Sequence, residues 1–241
     1  MATLKIYPSP EQVLKSLADF FVKCASEAID NNGKFAVALS GGSSPKKLYE
    51  LLASADYKDQ VEWNKVFFFF GDERNVPHDN PESNALMVQK ALFDPLNIPN
   101  TQVFKVNTLY SPDEAAKIYN DDIVYFFKRE KAVFDLVLLG LGDNSHTASL
   151  FPHTLILNDP TASVEQVWLD DQQVYRISFT ALLINQAKHI AFLIYGQGKA
   201  EAVHHVLEDE KNTNEYPAQL IRDDAAVYWF MDESAASLLK K

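Results

Sequence analysis

The sequence predicts an α/β fold, a single domain built on an open, mostly parallel twisted sheet with helices on both faces. Three observations lead there. Short, largely apolar runs recur at 35–39, 66–70, 134–139, 189–195 and 226–231, and such runs read as strands buried on both faces of a parallel sheet. Segments with apolar residues at helical spacing alternate with them. Several runs end in glycine, at Gly41-Gly42, Gly71, Gly140 and Gly196, as turns that leave a buried strand do.

Taken in order, Thr3 to Tyr7 alternates weakly and suits an edge strand. Ser9-Pro10-Glu11 opens a helix, serine capping and proline in the first turn. Val13, Leu14, Leu17, Phe20, Phe21 and Cys24 form its apolar side, and Asn31-Asn32-Gly33 ends it. Phe35 to Leu39 is a buried strand followed by a helix through Leu48, Leu51 and Leu52. Val66 to Phe70 is the next strand. A helix is expected from Asn80-Pro81-Glu82 through Leu92, then surface loops around a short strand at Val103 to Val106. Ser111-Pro112-Asp113-Glu114 reads as a capping box opening a helix to about Lys131. Phe134 to Leu139 is the central strand. His153 to Trp168 reads as a long excursion without periodicity, Tyr175 to Phe179 as a strand, and Leu182 to Ala187 as a short helix. The strand His189 to Tyr195 leads into a helix opened by Lys199. Ala226 to Met231 is the last strand, with Ser234 capping a terminal helix.

Composition narrows the function. The 241 residues are 47% apolar and 23% charged, with a formal net charge of −11. That balance argues against nucleic acid or an anionic membrane as the main partner. A small anionic substrate stays compatible, because local cations and backbone N–H groups can build its site. Cys24 is the one cysteine, so neither an intrachain disulfide nor a cysteine-based zinc site can form. It lies on an apolar helix face and reads as core. No stretch is long and apolar enough to span a bilayer, and the N-terminus lacks signal-peptide features. A cytoplasmic protein is expected.

Candidate chemistry gathers at strand ends, where open α/β sheets bind ligands. His146 follows the strand ending at Leu139, and imidazole titrates near neutrality. Ser40-Gly41-Gly42-Ser43-Ser44 joins a strand to a helix start, which suits either an anion cradle or a plain tight turn. Asp72-Glu73-Arg74 is either a solvated loop or part of the cleft that holds His146. Lys199 at a helix start opposes the helix dipole, which suggests a compensating anion. His78, His189, His204 and His205 read as exposed or structural.

Three motifs stand together: LSGGSSPKKLYELL at 39–52, FGDERNVP at 70–77 and GLGDNSHTASLFP at 140–152. The chain resembles the 6-phosphogluconolactonase family, within a wider group that includes glucosamine-6-phosphate deaminases. The likeness covers nearly the whole chain, and HTASLFP is its specific element. It implies a Rossmann-like sheet of the sugar-phosphate isomerase/lactonase type and hydrolysis of 6-phospho-D-glucono-1,5-lactone; a strained ester of this kind needs only modest acceleration, so no cofactor or metal is expected. His146 resembles the family's general base. The Ser40, Gly41, Gly42, Ser43 and Ser44 turn looks like its phosphate loop, and Arg176 and Lys199 match cationic phosphate ligands. Arg74 is similar to a residue lining the lactone site, with Asp72 and Asn144 completing the catalytic set. The family usually reads Asp-Gly-His where this chain has Asn144-Ser145-His146. Asparagine can orient the imidazole but adds no charge, and Asp143 is the alternative carboxylate. The expected partner is a phosphorylated sugar lactone, and the expected assembly a monomer or weak homodimer. A deaminase of the same group would use Asp72 as base and carry an acid a few positions beyond the histidine, where Ser149-Leu150-Phe151-Pro152 has none. A non-catalytic sugar-phosphate sensor is the remaining alternative.

Overall fold

A computed structural model describes residues 1–240. In chain order the strands and α-helices are β1 (Thr3–Tyr7), α1 (Pro10–Asn32), β2 (Phe35–Leu39), α2 (Ser43–Leu52), β3 (Val66–Phe70), β4 (Asp72–Arg74), α3 (Asn84–Val88), α4 (Asp94–Leu96), α5 (Pro112–Phe126), β5 (Leu136–Leu139), β6 (Val164–Leu169), β7 (Val174–Phe179), α6 (Ala181–Asn185), β8 (His189–Ile194), α7 (Ala200–Leu207) and β9 (Val227–Asp232). Six strands form one sheet in the order β1-β9-β8-β5-β2-β3, parallel at every pairing. The α/β expectation is borne out, with one addition. β4, β7 and β6 form a separate antiparallel sheet.

The pleat sorts each buried strand into two cores. Phe35, Val37 and Leu39 of β2, with Phe68 and Phe70 of β3, join the core under α1, α2 and α3. Ala36, Ala38 and Phe69 face the other core, shared with α5, α6, α7 and the small sheet. Phe68, Phe69 and Phe70 are fully buried, each worth roughly 1.5–3 kcal/mol over an exposed ring. Cys24 is buried in the first core, and burial pushes its thiol up to about 12.

Several local expectations are corrected. Ser9 occupies the cap position of α1 but makes no side-chain cap bond. The helix expected from Asn80 begins at Asn84, because Asn80 Oδ1 accepts the Glu82 N–H and holds a turn. It then continues beyond Leu92, through a π-helical stretch at Gln89–Phe93 and on into α4. Val103 makes only an isolated bridge to Phe68, not a strand. The Ser111–Glu114 box forms, but α5 ends at Phe126, followed by left-handed residues at Lys128 and Arg129. The excursion over 153–168 contains most of β6, a strand made by its pairing with β7. Among the described residues no terminal helix follows Ser234. Asp232 Oδ1 instead accepts the N–H groups of Ala235 and Gly196 and knots the tail into turns.

The chain order reverses between β2 and β5. From β2 the sheet continues outward to β3, and from β5 it continues the other way to β8 and β9. The crevice outside the carboxyl ends of two such strands is where this architecture binds ligands.

Candidate active site

The loops leaving β2 and β5 meet over that crevice. A cleft of about 400 Å³ opens there, lined by Ser40, Gly41, Gly42, Asp72, Arg74, His146, Arg176 and Lys199, with Asn84, Thr147, Phe151 and Gln172 among its other walls. Segments more than a hundred residues apart thus contribute to one pocket. Two residues of the expected loop, Ser43 and Ser44, lie outside it. They form the first turn of α2. Ser40 is pinned from behind: its N–H donates to the Tyr49 hydroxyl, which donates in turn to the Ser40 carbonyl.

His146 sits on a tight turn. The Gly142 N–H donates to the His146 carbonyl, and the Ser145 N–H to the Gly142 carbonyl. A Cβ at position 142 would lie 2.0 Å from His146 Nδ1, so only glycine lets the ring lie there. Ser145 takes φ 61°, the left-handed region that glycine occupies freely. Asn144 Oδ1 contacts His146 Nδ1 at 2.5 Å. With the amide oxygen toward the ring, Nδ1 carries the proton and Nε2 keeps its lone pair. The Phe151 ring stacks on the imidazole, centroids 3.9 Å apart. Burial lowers the His146 pKa to about 4. The Arg176 and Lys199 charges push the same way, while Asp72 and Asp143 oppose them.

Of the two readings of 72–74, the structure shows no solvated loop but the strand β4, with Asp72 and Arg74 in the cleft that holds His146. Paired with β7, β4 sets Arg74 opposite Arg176 and Asp72 opposite Ser178. Alternation turns Asp72 and Arg74 to the cleft and Glu73 away. Asp72 is buried and accepts from the Ser149 hydroxyl at 2.7 Å. Arg74 Nη1 donates to Asn84 Oδ1 at 2.7 Å and to the Glu82 carbonyl at 2.9 Å. Arg176 Nη2 donates to Gln172 Oε1 at 2.6 Å, and burial lowers the Arg176 pKa from its usual value. The Nε groups of Arg74 and Arg176 are both buried without a partner among the described residues. Such donors are costly to leave unpaired. Lys199 pairs with Asp143 at 2.6 Å. Asp143 is therefore engaged by the lysine, not by His146, and the orienting contact belongs to Asn144.

The structure adds Asn84, Gln172, Ser149 and Phe151 to the residues the sequence points to. Ser149 and Phe151 lie inside the HTASLFP stretch. Asn84 and Gln172 carry no local signal, since a helix start and a hairpin bring them in. His189 is half-buried against Phe20, and His204 and His205 pair with Glu208 and Asp209. His78, expected to be exposed, is so, and its Nε2 lies 2.8 Å from the Val106 carbonyl.

The family model for glucosamine-6-phosphate isomerases/6-phosphogluconolactonase matches residues 8–229. A 6-phosphogluconolactonase of Synechocystis sp. is 37% identical over 219 residues, 89% of each chain. Among solved structures, the 6-phosphogluconolactonase from Trypanosoma cruzi superposes with a TM-score of 0.89 at 27% identity, over 100% of this chain and 98% of that one. A monomeric glucosamine-6-phosphate deaminase shares the fold, with a TM-score of 0.82 at 20% identity over 98% and 99% of the two chains. The crevice at the β2–β5 reversal, the histidine turn and the match over 8–229 agree: this chain belongs to the glucosamine-6-phosphate isomerase/6-phosphogluconolactonase family.

Proposed function

We propose that the chain is a 6-phosphogluconolactonase: it hydrolyses 6-phospho-D-glucono-1,5-lactone to 6-phosphogluconate, in the oxidative pentose phosphate pathway. One observation carries the assignment of roles. A neutral imidazole with a free Nε2 shares a cleft with the guanidinium groups of Arg74 and Arg176 and the ammonium of Lys199. The phosphate is gripped by Arg176, Lys199 and the N–H groups of the Gly41-Gly42 turn at the start of α2, where the helix dipole favours an anion. To reach Lys199 it displaces or shares the Asp143 contact. His146 Nε2 then takes a proton from water as the water oxygen attacks C1. The C1–O bond forms, and the carbonyl electrons move onto the oxygen. Arg74 stabilises that oxyanion. Collapse breaks the bond from C1 to the ring oxygen, which takes its proton back from the imidazolium. Asn144 holds the ring by Nδ1 throughout, and Asp72 stabilises the imidazolium by its charge.

The deaminase reading needs a proton moved between sugar carbons by Asp72. Both oxygens of that carboxylate have donors, from Ser149 and Asn84, and no acid lies in Ser149 to Pro152. The whole chain forms one lactonase domain in this reading, acting in the cytoplasm as a monomer or weak homodimer without nucleic-acid or membrane partners. Sedimentation as a stable higher oligomer would contradict the assembly stated.

His146→Ala is the direct test. Lactone opening followed at constant pH should lose roughly 10²–10⁴-fold in kcat, the share of a positioned base, while inorganic phosphate still competes as before. Undiminished turnover would remove His146 from its role, and ammonia release from glucosamine 6-phosphate by the unaltered protein would reverse the choice of reaction.

A further inference from the structure

Glu73 is 1% exposed and makes no ion pair among the described residues. Its two oxygens instead gather four donors. Oε1 accepts the N–H groups of Arg74 and Asn84 at 2.7 Å each; Oε2 accepts the Ala85 N–H at 2.8 Å and the Ser83 hydroxyl at 3.2 Å. Burial raises its pKa. A carboxylate this deep is costly to keep, yet its side chain points away from the cleft. What it does is bolt the start of α3 to β4.

The residue delivered by that bolt is Asn84, itself 1% exposed. Its amide spans the charged pair of the cleft. Oδ1 accepts from Arg74 Nη1 at 2.7 Å, and Nδ2 donates to the Asp72 carbonyl at 2.9 Å and to Asp72 Oδ1 at 3.4 Å. On its other side the amide fills the space of an absent side chain: a Cβ on Gly41 would lie 1.9 Å from Asn84 Oδ1. One planar group therefore touches the loop after β2, the carboxylate and the guanidinium. An amide alone among side chains of this size offers both the acceptor that Arg74 needs and the donor that Asp72 needs.

We infer that Asn84, locked by Glu73, is a positioning residue that holds the Arg74 guanidinium toward the lactone oxyanion and the Asp72 carboxylate beside His146. This rests on the assignment of Arg74 to the oxyanion, and the test separates the two. Steady-state kinetics are measured for Arg74→Ala, Asn84→Ala, the double variant and Asn84→Asp, with inorganic phosphate inhibition and melting temperature alongside. Asn84→Ala should lower kcat by about tenfold with KM and phosphate inhibition within about twofold, the mark of a contact that matters in the transition state. The double variant should lose clearly less than the product of the two single losses, because part of what Asn84 does it does through Arg74. Asn84→Asp keeps the shape and the acceptor but loses the donor, and it should fall as Asn84→Ala does. It also serves if the alanine variant does not fold. Additive losses, or full kcat in either folded Asn84 variant, would overturn the inference while leaving Arg74 in place. Unchanged kcat in Arg74→Ala would instead remove the Arg74 assignment and the inference with it.

Discussion

His146 serves as a base only while it is neutral, and its surroundings extend that condition far into acid. Burial is the main cause, and the two nearby cations add to it, giving a pKa of about 4 against an ordinary 6.5. A lowered pKa means the proton leaves more easily, so the neutral form persists down to the shifted value. For the free enzyme, kcat/KM should stay flat from neutrality to about pH 5 and fall below that, half lost near 4. The limb for kcat should lie at higher pH, because a bound phosphate adds negative charge that favours the imidazolium. Asn144→Asp should move both limbs upward by the same logic. Rate measurements between pH 4 and 8 check this, and a kcat/KM limb at 6.5 would show an imidazole in an ordinary setting. Asn144 is one of two residues, with Ser145, where this chain leaves the family pattern its motifs suggest. The amide holds the ring by Nδ1 without placing a charge beside the base.

At the scale of elements, the histidine turn is built under strain. Ser145 is buried with φ 61°, a region that costs roughly 1–2 kcal/mol for a residue bearing a Cβ. Ser145→Gly should relieve part of that, less the entropy glycine adds to the unfolded chain, for a net gain of up to about 1 kcal/mol. Ser145→Val should destabilise. Urea unfolding of the two variants tests this, and a glycine variant less stable than the parent would show that the serine side chain outweighs the strain. The same scale explains what local sequence patterns concealed. β4 has three charged residues and no apolar period, yet it is a strand because β7 supplies its partners. β6 likewise exists by pairing. The start of α3 is set by Ser83 and by Glu73 eleven residues earlier, not by Asn80-Pro81-Glu82. By contrast, the buried parallel strands were legible, because two apolar faces leave a continuous apolar run.

Across the whole molecule, an anion site stands on a protein of net charge −11. Arg74, Arg176 and Lys199 face the cleft, with Asp72 its one carboxylate wall among the described residues. Long-range repulsion of an anionic substrate is thereby offset locally, where the field is least screened. Phosphate binding should stabilise the fold as a whole, since the site exists only when β2, β5, β7 and the turn before α7 are assembled. Inorganic phosphate at ten times its Kd should add about 1.4 kcal/mol, a rise of about 3–6 °C in Tm for a chain of this size. Lys199→Ala should reduce the rise, as scanning calorimetry over a phosphate series would show. An equal rise in that variant would take Lys199 out of the anion site.

By itself the sequence determined the alternation of strands and helices, the two-faced burial of the central strands and the histidine at the end of one of them. These are local properties, written in apolar period and glycine placement. The resemblance of its motifs added the reaction class. Only the tertiary structure decided that β2 and β5 are neighbours, that Asn144 and not Asp143 holds the imidazole, and that Asn84 and Gln172 belong to the cleft. Those outcomes depend on which strand pairs with which and on where long side chains find partners. Such choices are made between segments far apart in the chain, so no window of sequence contains them.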